Sequence, residues 1–218
     1  CDTIYAMKQL RYTLKTMRPR QWPKNVFVFA ALVFDRQLIT PDSLLITTLA
    51  FILFCLASSL VYIINDLTDI ESDRLHPKKR NRPLASGKLS KRSALVSIAI
   101  LVVLVFPASF FIDLGLGLIL SAYFVLMLAY SLWLKHVALI DVMIIAAGFV
   151  LRVAAGVVII ETQRFSPWLF VATTFLALFI GLGKRRAEIY LLQTEAGFHR
   201  RVLDGYTLDL LDQLLTIV

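Results

Sequence analysis

The densest set of chemistry-bearing side chains lies in one short stretch, Asn65-Asp66-Leu67-Thr68-Asp69-Ile70-Glu71-Ser72-Asp73-Arg74. On a helix running through it, Asp66, Asp69 and Asp73 stand at i, i+3 and i+7 and share one face. Like charges on one helical stripe repel by roughly a few tenths of a kcal/mol per pair, so a cation is expected between them. Mg2+ suits the place: it is a hard ion that takes oxygen ligands and is commonly held by one or two carboxylates together with substrate phosphates. Asp66, Asp69 and Asp73 are therefore the expected metal ligands and catalytic carboxylates. Cations for phosphate follow at once in His76-Pro77-Lys78-Lys79-Arg80-Asn81-Arg82-Pro83. Carboxylates for a metal beside cations for phosphate describe a diphosphate site. A solvated loop of mixed charge explains such a stretch in isolation; its position at the end of a long apolar run favours the site.

The elements that must carry these residues follow from composition. Of 218 residues, 58% are hydrophobic and 17% charged, with a formal net charge of +8. A water-soluble domain carries about 25% charged residues, so the chain reads as a membrane protein. It is too apolar for a disordered chain, and two cysteines make no disulfide framework. Spans of about 20 apolar residues are predicted over 22–40, 44–64, 93–112, 114–133, 138–160 and 166–183, with a seventh entering near Thr207. Nothing alternates with period two, which excludes an outer-membrane barrel. The chain opens on Cys1, also readable as a lipidated residue, and stops inside an apolar segment, so it reads as one membrane-embedded domain, residues 1–218, truncated at its C-terminus.

Basic residues set the orientation, because Lys and Arg stay on the cytoplasmic side. Lys8, Arg11, Lys15, Arg18, Arg20 and Lys24 precede the first span, and eight more fill the loop after the second. Lys135 follows the fourth, and Lys184, Arg185, Arg186, Arg200 and Arg201 follow the sixth. The other side holds only Arg36 and Arg164. The N-terminus and the acidic stretch are thus expected on the cytoplasmic face of a cell membrane. This asymmetry accounts for the +8 without nucleic acid, and some of these bases serve only to orient spans and touch anionic lipid.

Two ionisable residues fall in the fifth span. Asp141 and Arg152 are 11 residues apart, which puts them on the same side of a helix but about 16 Å apart along its axis. Intramembrane charge costs about 2.5–3.5 kcal/mol even on the lenient insertion scale, so both should face the bundle interior. Either arranges substrate or locks helices together. Asp141 suits a basic neighbour and Arg152 a phosphate or a carboxylate from another helix. A transporter would use the same two as pathway charges.

The stretch Asn65 to Asp73, N-D-x-x-D-x-x-x-D, followed by Arg82-Pro83-Leu84-Ala85-Ser86-Gly87, resembles the signature of the intramembrane UbiA-type prenyltransferases. The resemblance implies an all-α polytopic membrane bundle of normally nine spans, with Mg2+ and a substrate diphosphate held by the aspartates. Within that superfamily, several runs are similar to the decaprenyl-phosphate phosphoribosyltransferase branch: Arg18-Pro19-Arg20-Gln21-Trp22-Pro23-Lys24-Asn25, His76-Pro77 with Lys79-Arg80, Tyr130-Ser131 with Leu134-Lys135, Ile140-Asp141-Val142, Leu151-Arg152 with Ala155-Gly156, and Gly183-Lys184-Arg185-Arg186-Ala187-Glu188.

That likeness implies transfer of 5-phosphoribose from phosphoribosyl pyrophosphate to a polyprenyl phosphate in the membrane, toward lipid-linked arabinose for cell-wall arabinan. The prenyltransferases carry a second motif, D-x-x-x-D, after the sixth span; Lys184 to Glu188 stand there instead, as suits a site holding more phosphate, or as a stop signal with a Lys184–Glu188 pair. Lys24, Asn25, Arg74, Lys79, Arg80 and Arg82 are the candidate phosphate clamps, followed by Lys184 and Arg185, with Asn65, Lys135, Asp141, Arg152 and Glu188 also expected at the substrate site. The acceptor phosphate is already ionised at neutral pH, so no general base is needed, and His76, His136 and His199 show no metal-ligand spacing. The alternative, prenyl transfer from a prenyl diphosphate to an aromatic acceptor, uses the same first motif. Association into a homo-oligomer is open at this stage.

Overall fold

The computed structural model describes residues 2–160, 166–194 and 201–218. Cys1, Arg164, His199 and Arg200 lie outside the described residues. The described chain is helical: α1 (Asp2–Thr16), a 3-10 segment (Pro19–Phe29), α2 (Ala30–Phe34), α3 (Pro41–Thr68), α4 (Ile70–Leu75), α5 (Lys91–Ile112), α6 (Leu114–Leu132), α7 (Ile140–Ile159), α8 (Pro167–Thr194) and α9 (Leu208–Ile217). Two short 3-10 turns, Lys79–Asn81 and Leu134–His136, lie in the connections, and a third, Arg201–Gly205, precedes α9.

Among the described residues, five helices are long and apolar enough to cross a membrane: Pro41–Thr68, Lys91–Ile112, Leu114–Leu132, Ile140–Ile159 and Pro167–Leu191. The predicted first span, 22–40, is not one of them. Pro19 and Pro23 lack the N–H donors that an α-helix would use, and the chain takes the tighter 3-10 form before the short α2. At about 2.0 Å per residue the 3-10 segment still reaches roughly 22 Å. Irregular backbone is tolerated at membrane depth where protein covers it. Here α3 and α7 flank the segment, with Val28 and Leu32 fully buried and Ala31 only 2% exposed. Gly156 of α7 permits that approach, because a Cβ there would overlap the Val28 carbonyl oxygen.

The helices run alternately, so α3, α6 and α8 finish at the end where α5 and α7 begin. That end carries the charge. At about 1.5 Å per residue, the 28-residue α3 and α8 are each about 42 Å long, more than the roughly 30 Å hydrocarbon core. Asp66 and Lys184 therefore sit near an interface. The sixth predicted span stops at 183, but α8 continues to Thr194, since Lys, Arg, Ala and Glu are good helix formers. The outer faces are apolar and exposed, as at Phe111, Val103 and Trp168, which fits contact with lipid. The chain is a multi-pass membrane protein.

Candidate functional site

Helix α3 supplies the spine of the site. Cys55, Ser58, Ser59, Tyr62 and Asp66 recur at steps of three and four and line one face. Helix α3 ends at Thr68, α4 begins at Ile70, and Asp69 stands between them. Asp66 and Asp73 turn inward, 2% and 1% exposed. One nitrogen joins them: Arg82 Nη1 lies 3.2 Å from Asp66 Oδ1 and 2.7 Å from Asp73 Oδ2. Arg18 Nη2 donates to the same Asp66 oxygen at 2.5 Å, its guanidinium over the Tyr62 ring, and Lys79 Nζ lies 3.9 Å from Asp73 Oδ1.

Arg82 is held by the turn that follows it. Ser86 N donates to Arg82 O and Leu89 N to Pro83 O, each at 2.9 Å, while Leu84 and Leu89 are buried beside Ile63 and Ile70. Gly87 closes the turn at φ +74°, a region glycine enters without steric cost. Arg18, missed as a site residue, has a left-handed backbone, φ 54°, immediately before Pro19. Its sequence signal was an arginine at a helix end next to a proline.

Asp69 is turned aside to Lys135, whose Nζ is 3.6 Å from its Oδ2. The three aspartates do not converge, because the helix break at Asp69 rotates it away from its neighbours. Among the described residues, no three or more His, Cys, Asp or Glu side chains stand close enough together to hold a metal ion. The donor chemistry of the Asp66–Asp73 pair nonetheless fits a hard divalent cation: both side chains offer carboxylate oxygens, the ligand type such an ion takes, and a cation, Arg82, already stands between them.

Deeper in the bundle, Asn25 Oδ1 accepts from Arg152 Nε at 2.7 Å, and Asn25 Nδ2 faces Ser58 Oγ and Cys55 Sγ. Arg152 also donates to Gly148 O and to Tyr123 Oη, at 2.7 and 2.8 Å. Lys24 is near enough to Lys184 and to Arg152 to be repelled by each. Asn65 accepts a hydrogen bond from Ser131.

A third group forms where α7, α8 and the segment before α9 meet. Arg185 donates to Asp141 Oδ2 at 2.8 Å and to Glu188 Oε2 at 2.7 Å. Tyr206, which sequence reasoning did not single out, donates to Asp141 Oδ1 at 2.5 Å and accepts from Leu139 N at 2.7 Å. Burial, then the bond to Asp141, push the Tyr206 phenol well above its usual range. Arg185 is the basic neighbour that Asp141 was expected to suit, and Glu188 pairs with Arg185, where the stop-signal reading had paired it with Lys184. The clamps Arg74 and Arg80 are not brought to the centre: Arg74 donates to Glu71 and to Ala85 O, and Arg80 is exposed.

A helical membrane bundle with a buried acidic pair, crossed by arginines at its charged end, defines the class. Residues 25–184 match the UbiA prenyltransferase family, and the chain belongs to that family. It is 36% identical over 202 residues to decaprenyl-phosphate phosphoribosyltransferase of Mycolicibacterium smegmatis, covering 89% of this chain and 62% of that protein. The enzymes of the same name from Corynebacterium glutamicum and Mycobacterium tuberculosis are 37% and 34% identical, with 89% of this chain and 59% and 65% of theirs covered. The chain thus spans about six tenths of the length of these curated relatives. A UbiA homologue from Archaeoglobus fulgidus, solved with GPP and Mg2+, shares the fold at a TM-score of 0.69 and 20% identity, over 94% of this chain and 72% of that one. A digeranylgeranylglyceryl phosphate synthase structure shares it at a TM-score of 0.73, also at 20% identity and the same coverages.

Proposed function

We propose that this protein transfers 5-phosphoribose from phosphoribosyl pyrophosphate to a polyprenyl phosphate, releasing pyrophosphate, toward lipid-linked arabinose for cell-wall arabinan. The observation that carries the reading is the buried Asp66–Asp73 pair bridged by Arg82 and flanked by Arg18 and Lys79. The names of the relatives from mycobacteria and corynebacteria support the choice of substrates.

Asp66 and Asp73, with Asp69 at the rim, are the residues that would hold Mg2+, whose chemistry is to neutralise charge developing on a diphosphate oxygen. Arg18, Arg82 and Lys79 orient the donor's phosphates by charge-assisted hydrogen bonds. A phosphate oxygen of the lipid forms the new bond to the anomeric carbon as the bond from that carbon to pyrophosphate breaks, and the leaving group takes the electron pair. The attacking oxygen is already anionic, so no side chain removes a proton. The protein supplies position and preorganised charge. The polyprenyl tail stays in the bilayer against the apolar helix faces. The charged end faces the cytoplasm, where the donor is dissolved, because Lys and Arg cluster there.

Incubating the purified protein and Mg2+ with labelled phosphoribosyl pyrophosphate and polyprenyl phosphate should give a labelled lipid. A labelled product from prenyl diphosphate and an aromatic acid, with none from the first pair, overturns the reading in favour of prenyl transfer.

A further inference from the structure

Buried charges in a protein are ordinarily paired, and here most are. Asp66 has Arg18 and Arg82, Asp73 has Arg82 and Lys79, and Asp141 and Arg185 have each other. Arg152 is the exception. It is 7% exposed on α7, and among the described residues no carboxylate lies within 4 Å of its guanidinium. Its hydrogen-bond partners are all neutral: the Asn25 amide oxygen, the Gly148 carbonyl and the Tyr123 hydroxyl, with the Tyr123 and Phe149 rings 4.7 and 5.3 Å from its central carbon. Those contacts use three of its five N–H donors.

More positive charge is gathered nearby. Lys24, the residue before Asn25, interacts electrostatically with both Arg152 and Lys184. Lys24 and Lys184 are exposed, and among the described residues neither forms an ion pair. Lys184 precedes Arg185, which is tied to Asp141 near the start of α7, and Arg152 lies about 16 Å further along that helix. Lys184 thus stands toward the charged end of the bundle and Arg152 deeper along α7, with Lys24 within electrostatic reach of both. Asn25, Tyr123 and the rings fix the Arg152 guanidinium in orientation. The repulsion that Lys24 meets from both Lys184 and Arg152 is relieved by an anion of more than one charge.

We propose that Arg152, approached through Lys24 and Lys184, is the seat of a phosphate monoester, separate from the diphosphate held at the Asp66–Asp73 pair. An Arg fork matches phosphate oxygens in geometry, and a dianion compensates the charge. The seat deepens the transferase reading and rests on it for the ligand's identity, because donor and acceptor each carry such a group: the 5-phosphate of the sugar and the phosphate of the lipid. Two seats would hold leaving group and second phosphate apart, one in an acidic mouth and one in a purely cationic interior.

The test is equilibrium binding to the purified protein in lipid nanodiscs, using pyrophosphate with Mg2+, ribose 5-phosphate and farnesyl phosphate. Arg152→Gln retains amide hydrogen bonding. Lys24→Gln alters an exposed side chain and guards against a folding defect in the first variant. Both are expected to weaken one monoester by about tenfold or more and to leave pyrophosphate binding within about twofold of wild type. Loss confined to ribose 5-phosphate assigns the seat to the donor, and loss confined to farnesyl phosphate assigns it to the acceptor. Unchanged monoester binding in both variants, or equal loss of pyrophosphate and monoesters, overturns the seat. Wild-type protein that binds pyrophosphate but no monoester overturns the seat alone; wild-type protein that binds neither overturns the transferase reading with it.

Discussion

Arg82 bridges two carboxylates with a single nitrogen, so Asp66 and Asp73 act as one unit. Asp66→Asn keeps the shape of the side chain and removes the charge that pairs with the arginines and that a divalent ion would need. It is expected to lower phosphoribosyl transfer by about 100-fold or more. The residual rate should lose its dependence on Mg2+, checked by titrating the ion in the labelled-lipid assay. Retained Mg2+ dependence would mean that the ion is held elsewhere. Tyr206 makes a different kind of contribution. Its hydroxyl satisfies Leu139 N, in a non-glycine residue with φ 66°, and one oxygen of the buried Asp141. Tyr206→Phe leaves both groups short of a partner and should cost about 1–3 kcal/mol, read as a lower melting temperature in detergent. The Tyr206 phenol is raised on folding, so its contribution is fully present below its unfolded value of about 10 and is lost as pH climbs above that. The wild-type melting temperature should therefore fall faster than that of Tyr206→Phe across this alkaline range.

At the scale of elements, the 3-10 segment is the least regular part of the bundle and one of the most informative. It carries Trp22, Lys24 and Asn25 and runs between α3 and α7, where protein rather than lipid meets its backbone. Membrane helices gain little from apolar burial against lipid and depend on close packing through small residues. Gly156 is such a residue: an added methyl would collide with the Val28 carbonyl, a backbone atom that cannot rotate away. Gly156→Ala is expected to destabilise the bundle by about 1–3 kcal/mol and to disturb the Asn25–Arg152 bond one turn away. A melting temperature equal to that of wild type would show that the segment shifts freely. The Arg186–Asp212 pair between α8 and α9 is about half exposed on both sides, where solvent screens it and it adds little to stability. Docking of α9 rests more on Leu211, which is fully buried with Val142 and Leu203.

For the molecule as a whole, the proposed orientation can be checked directly. Cys55 is buried, so in a background with Cys1 replaced by serine the chain offers little thiol to a membrane-impermeant maleimide. Ser86→Cys lies on the exposed tip of the charged loop, and Ile39→Cys, at a site 93% exposed, lies in the turn at the opposite end. Labelling of position 86 in inverted vesicles but not in intact spheroplasts, with the reverse at position 39, is expected. The opposite pattern would remove the donor from reach of the site.

Composition, apolar run lengths and the one-sided distribution of bases determined the class, an all-helical membrane bundle with a polar end, because the cost of placing charge and unpaired backbone in hydrocarbon is local and large. That Asp66 and Asp73 share a side was legible for the same reason: helix period acts over a few residues. Only the tertiary structure decided which charges meet. It joined Asp66 to Asp73 through Arg82 and turned Asp69 to Lys135. It closed Asp141 onto Arg185 and Tyr206, and left Arg152 among neutral partners. It also bent the first predicted span into a 3-10 segment. Those outcomes depend on contacts between residues as far apart as Asn25 and Arg152, where the energy of a pair is set by neighbours that no local pattern encodes.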